Sequence, residues 1–232
     1  LVTECRVRQI ERDAENGKIL VRGDGGGFLF DSLVLACGGR AAPKTGSDGS
    51  GFLLAGQIGH SIVPVVPALV QLRCREDFLK SVSGVRAEAV VSLLHQQKGI
   101  SERGELQLTD YGISGIPVFQ LSRTVNYILQ KQKEAEISID FLPWHTKEEF
   151  HRLCTVRRQL LRNRTVEEYF TGLVHKKLVL LFLRLAGLKA GESVDKADPE
   201  KIRRFYSLCR DFRVHVTGSN SFDNAQVCAG GI

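Results

Sequence analysis

The chain has 232 residues, of which 43% are hydrophobic and 25% are charged, so its composition is globular and excludes an intrinsically disordered protein. Its longest apolar run, at residues 178–183, is far shorter than the ~20 residues of a membrane helix and predicts a buried helix instead. Six scattered cysteines without a CxxC pair favour a reducing compartment and exclude a disulfide framework or a zinc site. With no signal peptide at the start, we expect a cytoplasmic protein without membrane association.

The net charge of +6 and the isoelectric point near 9.1 allow a nucleic-acid partner. The basic residues cluster on predicted helices, at positions 152, 157, 158, 162, 164, 176, 177 and 184. The same helices carry glutamates, and no basic strand interleaved with aromatic residues is present. Solvated helix faces are therefore the favoured interpretation, and nucleic acid is a disfavoured partner. The oligomeric state stays open.

The first 66 residues begin with three predicted strands of an antiparallel meander, with turns at residues 15–17 and 24–27. The apolar run at residues 31–37 predicts a further strand, buried as in a parallel sheet. A glycine-rich loop follows, then a short helix over about residues 51–58 with Gly59 as its C-terminal cap. Residues 61–66 predict a strand, and Pro64 and Pro67 mark a domain boundary.

Residues 69–142 predict mainly strands, with one helix over residues 115–130 that has Pro117 near its start. The stretch at residues 112–115 is interpreted as a break between a strand and that helix, with contact to a substrate or flavin as the disfavoured alternative. From Thr146 onward the chain is predicted to be helical, because Thr146 and Thr165 each begin a capping box. Asp198 starts another helix, and strands return at residues 212–218 and 224–231.

Seven glycines lie between Leu35 and His60, although glycine costs roughly 0.5–1 kcal/mol against alanine inside regular elements. They can form a series of tight turns, or they can let backbone N–H groups approach a bulky anionic ligand where a Cβ would collide. A strand, two glycines, a loop and a short helix is an arrangement that places a nucleotide cofactor against the main chain. The spacing by itself leaves both alternatives open.

Three ordered segments resemble one family. They read LVLACGGRAAPKTGSDGSGFLLAGQIGHSIVPVVPALVQL, LQLTDYGISGIPVFQLS and NAQVCAGGI. Together they resemble the BaiN/RdsA-type, or aminoacetone-oxidase-like, family of bacterial NAD(P)/FAD-dependent oxidoreductases. The resemblance implies an α/β fold in which part of a Rossmann-like FAD-binding domain is interrupted by a strand-rich, barrel-like domain and a small helical subdomain.

The domains implied by this resemblance are residues 1–66 and 225–232 for the FAD-binding part, 67–145 and 211–224 for the strand-rich domain, and 146–210 for the helical subdomain. We expect the chain to be an internal fragment. The GxGxxG motif that holds the FAD pyrophosphate would precede Leu1, and the C-terminal flavin-contacting segment would follow Ile232. The implied cofactor is FAD, with NAD(P)H as an electron donor.

Matched residue by residue, the resemblance implies nine cofactor-binding residues. They are Gly38, Gly39, Thr45, Gly46, Ser47, Gly49, Gly51, Gly230 and Gly231. The chain departs from the family pattern at Cys37, Asp48, Ser50 and Asp110. Backbone contacts to a cofactor would survive these departures, whereas side-chain roles at the four positions are in doubt.

No catalytic acid or base is assigned. We expect a structural role for His60, a small buried side chain at Cys37, a packing role for Trp144 and no metal site among the histidines, His95 included. The function predicted is hydride or electron transfer between NAD(P)H or an organic substrate and FAD in the complete protein, with the fragment alone inactive. The alternative is a non-catalytic basic module that binds nucleic acid or protein.

Overall fold

The computed structural model describes residues 1–94 and 99–232, which divide into two compact units. Unit 1 comprises Leu1–Ala68 and Asn220–Ile232, and unit 2 comprises the described residues of Leu69–Ser219. The second boundary therefore falls after Ser219, where the sequence suggests residue 224. The Ala42 N–H donates to the Phe222 carbonyl over 2.9 Å, and this bond ties the disputed segment to unit 1.

The chain forms strands and α-helices in mixed order, numbered here along the sequence. The strands are β1 (Val7–Arg12), β2 (Ile19–Gly23), β3 (Gly26–Phe30), β4 (Val63–Ala68), β5 (Leu72–Cys74), β6 (Arg86–Leu94), β7 (Ile100–Leu108), β8 (Gly112–Gly115), β9 (Ala135–Asp140), β10 (Phe212–Ser219) and β11 (Val227–Gly231). The helices are α1 (Ser50–Gln57), α2 (Ile116–Leu129), α3 (Lys147–Leu161), α4 (Val166–Phe170), α5 (Lys176–Ala186) and α6 (Pro199–Arg210). The predicted mixed α/β fold with an inserted strand-rich domain is confirmed.

Unit 1 contains the predicted meander, in which β1, β2 and β3 pair antiparallel. Helix α1 is attached to β1 through Gln57, whose Oε1 accepts from the Ile10 N–H over 2.8 Å. The helix ends as predicted. Gly59 has φ +94° and donates its N–H to the Gly56 carbonyl, while the His60 N–H donates to the Ala55 carbonyl. These two bonds satisfy carbonyls that the last helical turn leaves free.

The buried strand predicted at residues 31–37 is wrong for the part of the chain that the structure describes. This segment pairs with no described strand, and the Val34 side chain is 86% exposed. The apolar composition is typical of a strand covered on both faces, yet a strand forms only where neighbouring backbones complete its hydrogen bonds. In unit 1 the second sheet is instead the antiparallel pair β4–β11.

Unit 2 is built on a closed antiparallel barrel with the strand order β10-β5-β8-β7-β6-β9. Alternate residues of its strands face inward, as the period of two requires. The inward residues of β9 and β10 include Ile137, Ile139, Val214 and Val216, all fully buried. The barrel is closed by the pairing of β9 with β10, in which Phe212 lies opposite Ile139. These side chains are the barrel's part of the hydrophobic core of unit 2.

The segment at residues 112–115 is a barrel strand, which corrects its interpretation as a break. Leu72 of β5 pairs with Ile113, and Leu106 of β7 pairs with Gly115, so β8 lies between two strands. Its shortness and its two glycines hide it from composition-based reasoning. Pro117 lies in the first turn of α2 as predicted.

The predicted helical subdomain is present. Both capping boxes form: the Thr146 and Thr165 hydroxyls accept from the N–H groups of Glu149 and Glu168, whose carboxylates accept from the threonine N–H groups. The apolar run at residues 178–183 lies in α5, which is buried along most of its length. Trp144 departs from expectation, because it is 51% exposed. None of the described helices has the length and apolar character needed to cross a membrane.

Helix α3 depends on its capping box more than the other helices do, because none of its side chains is buried. We expect Thr146→Ala to lower the free energy of unfolding by about 1 kcal/mol and to reduce helicity at the start of α3. Thr146→Ser, which keeps the accepting hydroxyl, is the matched control. Urea titration followed by circular dichroism measures both, and equal stability of the two variants would contradict the expectation.

Candidate functional site

The glycine-rich loop after Cys37 is held in place within unit 1 by a contact to Phe222 and by a turn of its own. The Arg40 guanidinium lies over the Phe222 ring, 4.4 Å from its centroid. A single 3₁₀ turn, Pro43–Thr45, follows, and the Thr45 N–H and Oγ1 both donate to the Ala42 carbonyl over 2.8 Å. Thr45 therefore stabilises the loop itself.

The structure brings the two distant glycine pairs into one region of unit 1. A Cβ on Gly39 would lie 2.5 Å from the Cys228 sulfur, two residues before Gly230. A Cβ on Gly231 would lie 2.8 Å from the Phe52 ring of α1, and one on Gly230 would lie 2.3 Å from the Pro64 carbonyl oxygen. The loop, α1, β4 and β11 thus pack at distances that only glycine allows.

Three further glycines have the same kind of explanation. A Cβ on Gly38 would lie 2.9 Å from the Ser47 Cβ, and one on Gly49 would lie 2.3 Å from the Arg40 Cγ. Gly51 is less restricted, with the Cys37 Cβ at 3.2 Å. The sequence left open tight turns or the approach of an anionic ligand as the reason for these glycines. Close packing between segments of the protein is a third reason, and it depends on which segments meet in the fold.

Gly46 differs from these glycines. Its φ is +112°, and a Cβ built on it would meet nothing within 4 Å. Gly46 is exposed, as are Gly38 and Gly230. The backbone at these three positions is open to a ligand, whereas Gly49 and Gly231 are buried.

The start of α1 already holds a carboxylate of the chain itself. The Asp48 Oδ1 accepts from the Ser50 N–H over 2.9 Å, and its Oδ2 is paired with the Arg6 guanidinium. The hydrogen bonds from Ser50 and the charge of Arg6 lower the pKa of the Asp48 carboxyl to about 2. A carboxylate is favourable at a helix N-terminus, and because Asp48 is ionised at neutral pH it disfavours a phosphate at the same place.

A cavity of about 410 Å³ lies beside the start of α1, walled by Arg6, Arg40, Asp48 and Phe52 among others. Sequence reasoning named Asp48 only as a departure from the family pattern and missed Arg6 and Arg40. Arg40 directly follows the Gly38-Gly39 pair, which is a signal that could have identified it. A larger cavity, in unit 2, contains none of the nine predicted cofactor-binding residues.

The expectation of a small buried side chain at Cys37 is wrong. Cys37 is exposed rather than buried. Among the described residues no group of histidine, cysteine and carboxylate side chains could hold a metal ion. His95 lies outside the described residues. The His60 side chain is exposed.

This fold defines a class of protein: an α/β protein whose sequence is interrupted by a closed barrel and a helical subdomain. Residues 66–227, well over half of the chain, match the family model described as HI0933-like protein barrel and H2TH domain. The chain belongs to this family.

The chain is 37% identical to a 3-dehydro-bile acid delta(4,6)-reductase of Clostridium scindens, over 100% of this chain and 56% of that protein. It is 25% identical to a ribosomal RNA dihydrouridine synthase of Haemophilus influenzae and 25% identical to one of Escherichia coli, over 56% and 58% of their lengths. The chain thus spans little more than half of each curated relative. The resemblance to BaiN/RdsA-type FAD oxidoreductases is confirmed, and the chain belongs to an oxidoreductase family.

Proposed function

We propose that the protein is an FAD-dependent oxidoreductase in which unit 1 forms part of the flavin-binding site. The complete protein would transfer hydride or electrons between NAD(P)H or an organic substrate and FAD. The observation that carries the proposal is the convergence of Gly38-Gly39 and Gly230-Gly231 around α1. Membership in an oxidoreductase family supports the same reaction class.

The main chain of unit 1 fits a flavin cofactor at three positions. Gly38, Gly46 and Gly230 present exposed backbone, and no side chain fills the space beside Gly46. When bound, FAD supplies reversible hydride chemistry, while the protein provides binding and orientation. Thr45 and Ser47 shape the loop, and the close packing of Gly39, Gly49 and Gly231 keeps the exposed positions in place. The phosphates of the cofactor do not fit at the start of α1, because Asp48 is ionised there.

The substrate class that we propose is a small organic molecule with a reducible carbon–carbon double bond. The reductase of Clostridium scindens is more similar to this chain than the two ribosomal RNA dihydrouridine synthases are. Reduction of a double bond requires a hydride and a proton. No described side chain is assigned as the proton donor.

Glycine replacement tests the cofactor contact. In the complete protein we expect Gly46→Ala to lower the flavin content and weaken FAD binding at least about tenfold, because the new side chain restricts an exposed backbone position. Gly26→Ala is the matched control, since Gly26 has φ +109°, equally open space and a position at the start of β3, directly after the β2–β3 turn. Both variants carry similar backbone strain, of order 1–3 kcal/mol, so only a cofactor role distinguishes them.

The measurements are the visible flavin spectrum, the flavin released on denaturation and the melting temperature. Loss of flavin in Gly46→Ala with full flavin content in Gly26→Ala supports the proposed site. Equal flavin content in both variants contradicts it. A complete wild-type protein that is colourless and releases no flavin contradicts the proposed function as a whole.

The alternative function is a basic module that binds nucleic acid or protein, and one of the arginines that would carry it is engaged within the protein. Arg157 is half-buried and donates from its Nη2 to the carbonyls of Tyr169 and Thr171. It joins α3 to α4 and is not a free surface charge. A test of this alternative must therefore reverse Arg158 and Arg162 only, and salt-independent retention on nucleic acid would exclude it.

A further inference from the structure

A cavity of about 800 Å³ lies between α3 and α6 in unit 2. This volume is within the range of small-molecule sites, roughly 300–1,000 Å³. All of its lining residues belong to unit 2, and none of them is among the nine predicted cofactor-binding residues.

The floor of this α3–α6 cavity is apolar and aromatic. It consists of Tyr169 and Ile202, which are 1% and 5% exposed, together with Phe150 and Tyr206. The Phe150 and Tyr206 rings meet edge to face at 5.7 Å. The one polar feature of the floor is internal, because the Tyr206 hydroxyl donates to the Tyr169 hydroxyl over 2.8 Å. Such a floor suits an apolar body rather than a sugar or a nucleotide.

Helix α3 forms one wall of the cavity and leaves it unfilled. This helix of 15 residues has no buried side chain, although Phe150 and Cys154 lie on its cavity side. Apolar side chains that line an empty space lose contact energy on the open side. An apolar ligand would supply those contacts and bury both α3 side chains.

The charges at the cavity are cationic once the internal pairs are removed. The Asp140 carboxylate, the only acidic lining group, is paired with the Arg210 guanidinium at 2.9 Å. Arg203 is paired with Glu200. The other basic lining residues are Lys147, His151 and Arg158. None of these three has an ion-pair partner among the residues described.

We propose that the α3–α6 cavity binds an amphipathic organic anion, with its apolar body on the Phe150–Tyr206 floor and its acidic group at Arg158. The combination of an apolar floor, an unfilled helix wall and unpaired cations at the rim selects this class. A neutral apolar molecule would leave the cations unpaired, and a small inorganic anion would leave the floor exposed. The inference does not depend on the flavin site, because every lining residue belongs to unit 2.

Cys154 is a natural reporter of occupancy, because it lines the cavity and is partly buried. Burial is the main cause that raises the pKa of its thiol to about 11, so its reaction with a maleimide is slow but measurable. Cys37, exposed in unit 1, is an internal reference for reagent activity. Cys209 is fully buried and reports on loss of the fold.

The experiment measures N-ethylmaleimide modification of each cysteine by peptide mass spectrometry in the 232-residue chain. The probe is dodecanoate below its micelle concentration, and 1-dodecanol is its neutral counterpart. We expect dodecanoate to slow the modification of Cys154 at least about fivefold without changing that of Cys37. Dodecanol should need a clearly higher concentration for the same protection.

Two variants on α3 test the geometry. Thr155→Trp places a bulky ring at the cavity wall from an exposed position and should abolish protection. Arg158→Gln should raise the half-protecting dodecanoate concentration by roughly twofold to fivefold, the effect of an exposed ion pair, and Arg158→Lys should restore it. Arg152→Gln is the matched control, since Arg152 is an exposed cation of the same helix that does not line the cavity.

The proposal is overturned if dodecanoate leaves Cys154 modification unchanged, or if dodecanol protects equally well. It is also overturned if Arg152→Gln weakens protection as much as Arg158→Gln, or if folded Thr155→Trp remains protected. If Cys209 becomes reactive in Thr155→Trp, that variant has lost its fold. The variants Arg158→Gln and Arg158→Lys, with Arg152→Gln as control, then decide whether the cavity binds the anion.

Discussion

Gly115→Ala is expected to lower the free energy of unfolding of unit 2 by at least about 3 kcal/mol. Gly115 ends β8 with φ +104°, where an L side chain is strained. A Cβ at this position would lie 2.2 Å from the Glu105 carbonyl oxygen of β7. The obstacle is backbone in a paired strand, so it cannot move without opening the barrel.

The measurement is thermal unfolding, where a loss of this size lowers the melting temperature by roughly 6–12 °C for a unit of about 150 residues. Gly112→Ala should act in the same direction, because its Cβ would lie 2.1 Å from the Leu72 carbonyl oxygen of β5. Gly218→Ala is the control, since Gly218 lies in the barrel strand β10 with nothing within 4 Å of a new Cβ. If Gly115→Ala and Gly218→Ala have the same melting temperature, β8 does not close the barrel as described.

Phe205→Ala is expected to cost about 3–5 kcal/mol, the usual loss for a buried phenylalanine. Phe205 of α6 is fully buried, and its ring is stacked on Phe170 of α4 with centroids 3.6 Å apart. It also meets Phe182 of α5 edge to face at 5.8 Å. One ring therefore joins three helices of the subdomain, and its removal leaves a cavity that none of them can fill.

Urea unfolding followed by circular dichroism measures this loss, and Phe205→Leu should lose clearly less because most of the volume is kept. Leu180→Ala in α5 is the control, because this side chain is 46% exposed in the same subdomain and should change stability by less than about 1 kcal/mol. A loss below about 1 kcal/mol in Phe205→Ala would show that the subdomain repacks freely.

The same aromatic residues explain why the subdomain and the barrel share one core. Phe182 of α5 meets Phe212 of β10 at 5.2 Å and Phe141, just after β9, at 5.9 Å. The Arg210–Asp140 ion pair adds a polar link between α6 and β9, and Arg210 also donates to the His145 carbonyl. Helix α6 is thus fixed to the barrel.

Glycine serves two purposes in this chain. In unit 1 the glycines around α1 allow segments far apart in sequence to meet, and they leave open backbone at Gly46. In unit 2 the glycines at both ends of β8 allow strands to close a barrel. In both cases the atoms that exclude a side chain come from another part of the chain.

The sequence by itself determined features that depend on neighbouring residues. The two capping boxes, the Gly59 helix end and the meander turns were predicted correctly, because each is encoded within one short window. The family was predicted correctly from three ordered segments. Only the tertiary structure decided the exposure of Cys37, the structural role of Arg157, the strand at residues 112–115 and the cavity between α3 and α6. These properties depend on which distant segments pack together, and local periodicity and composition carry no information about those contacts.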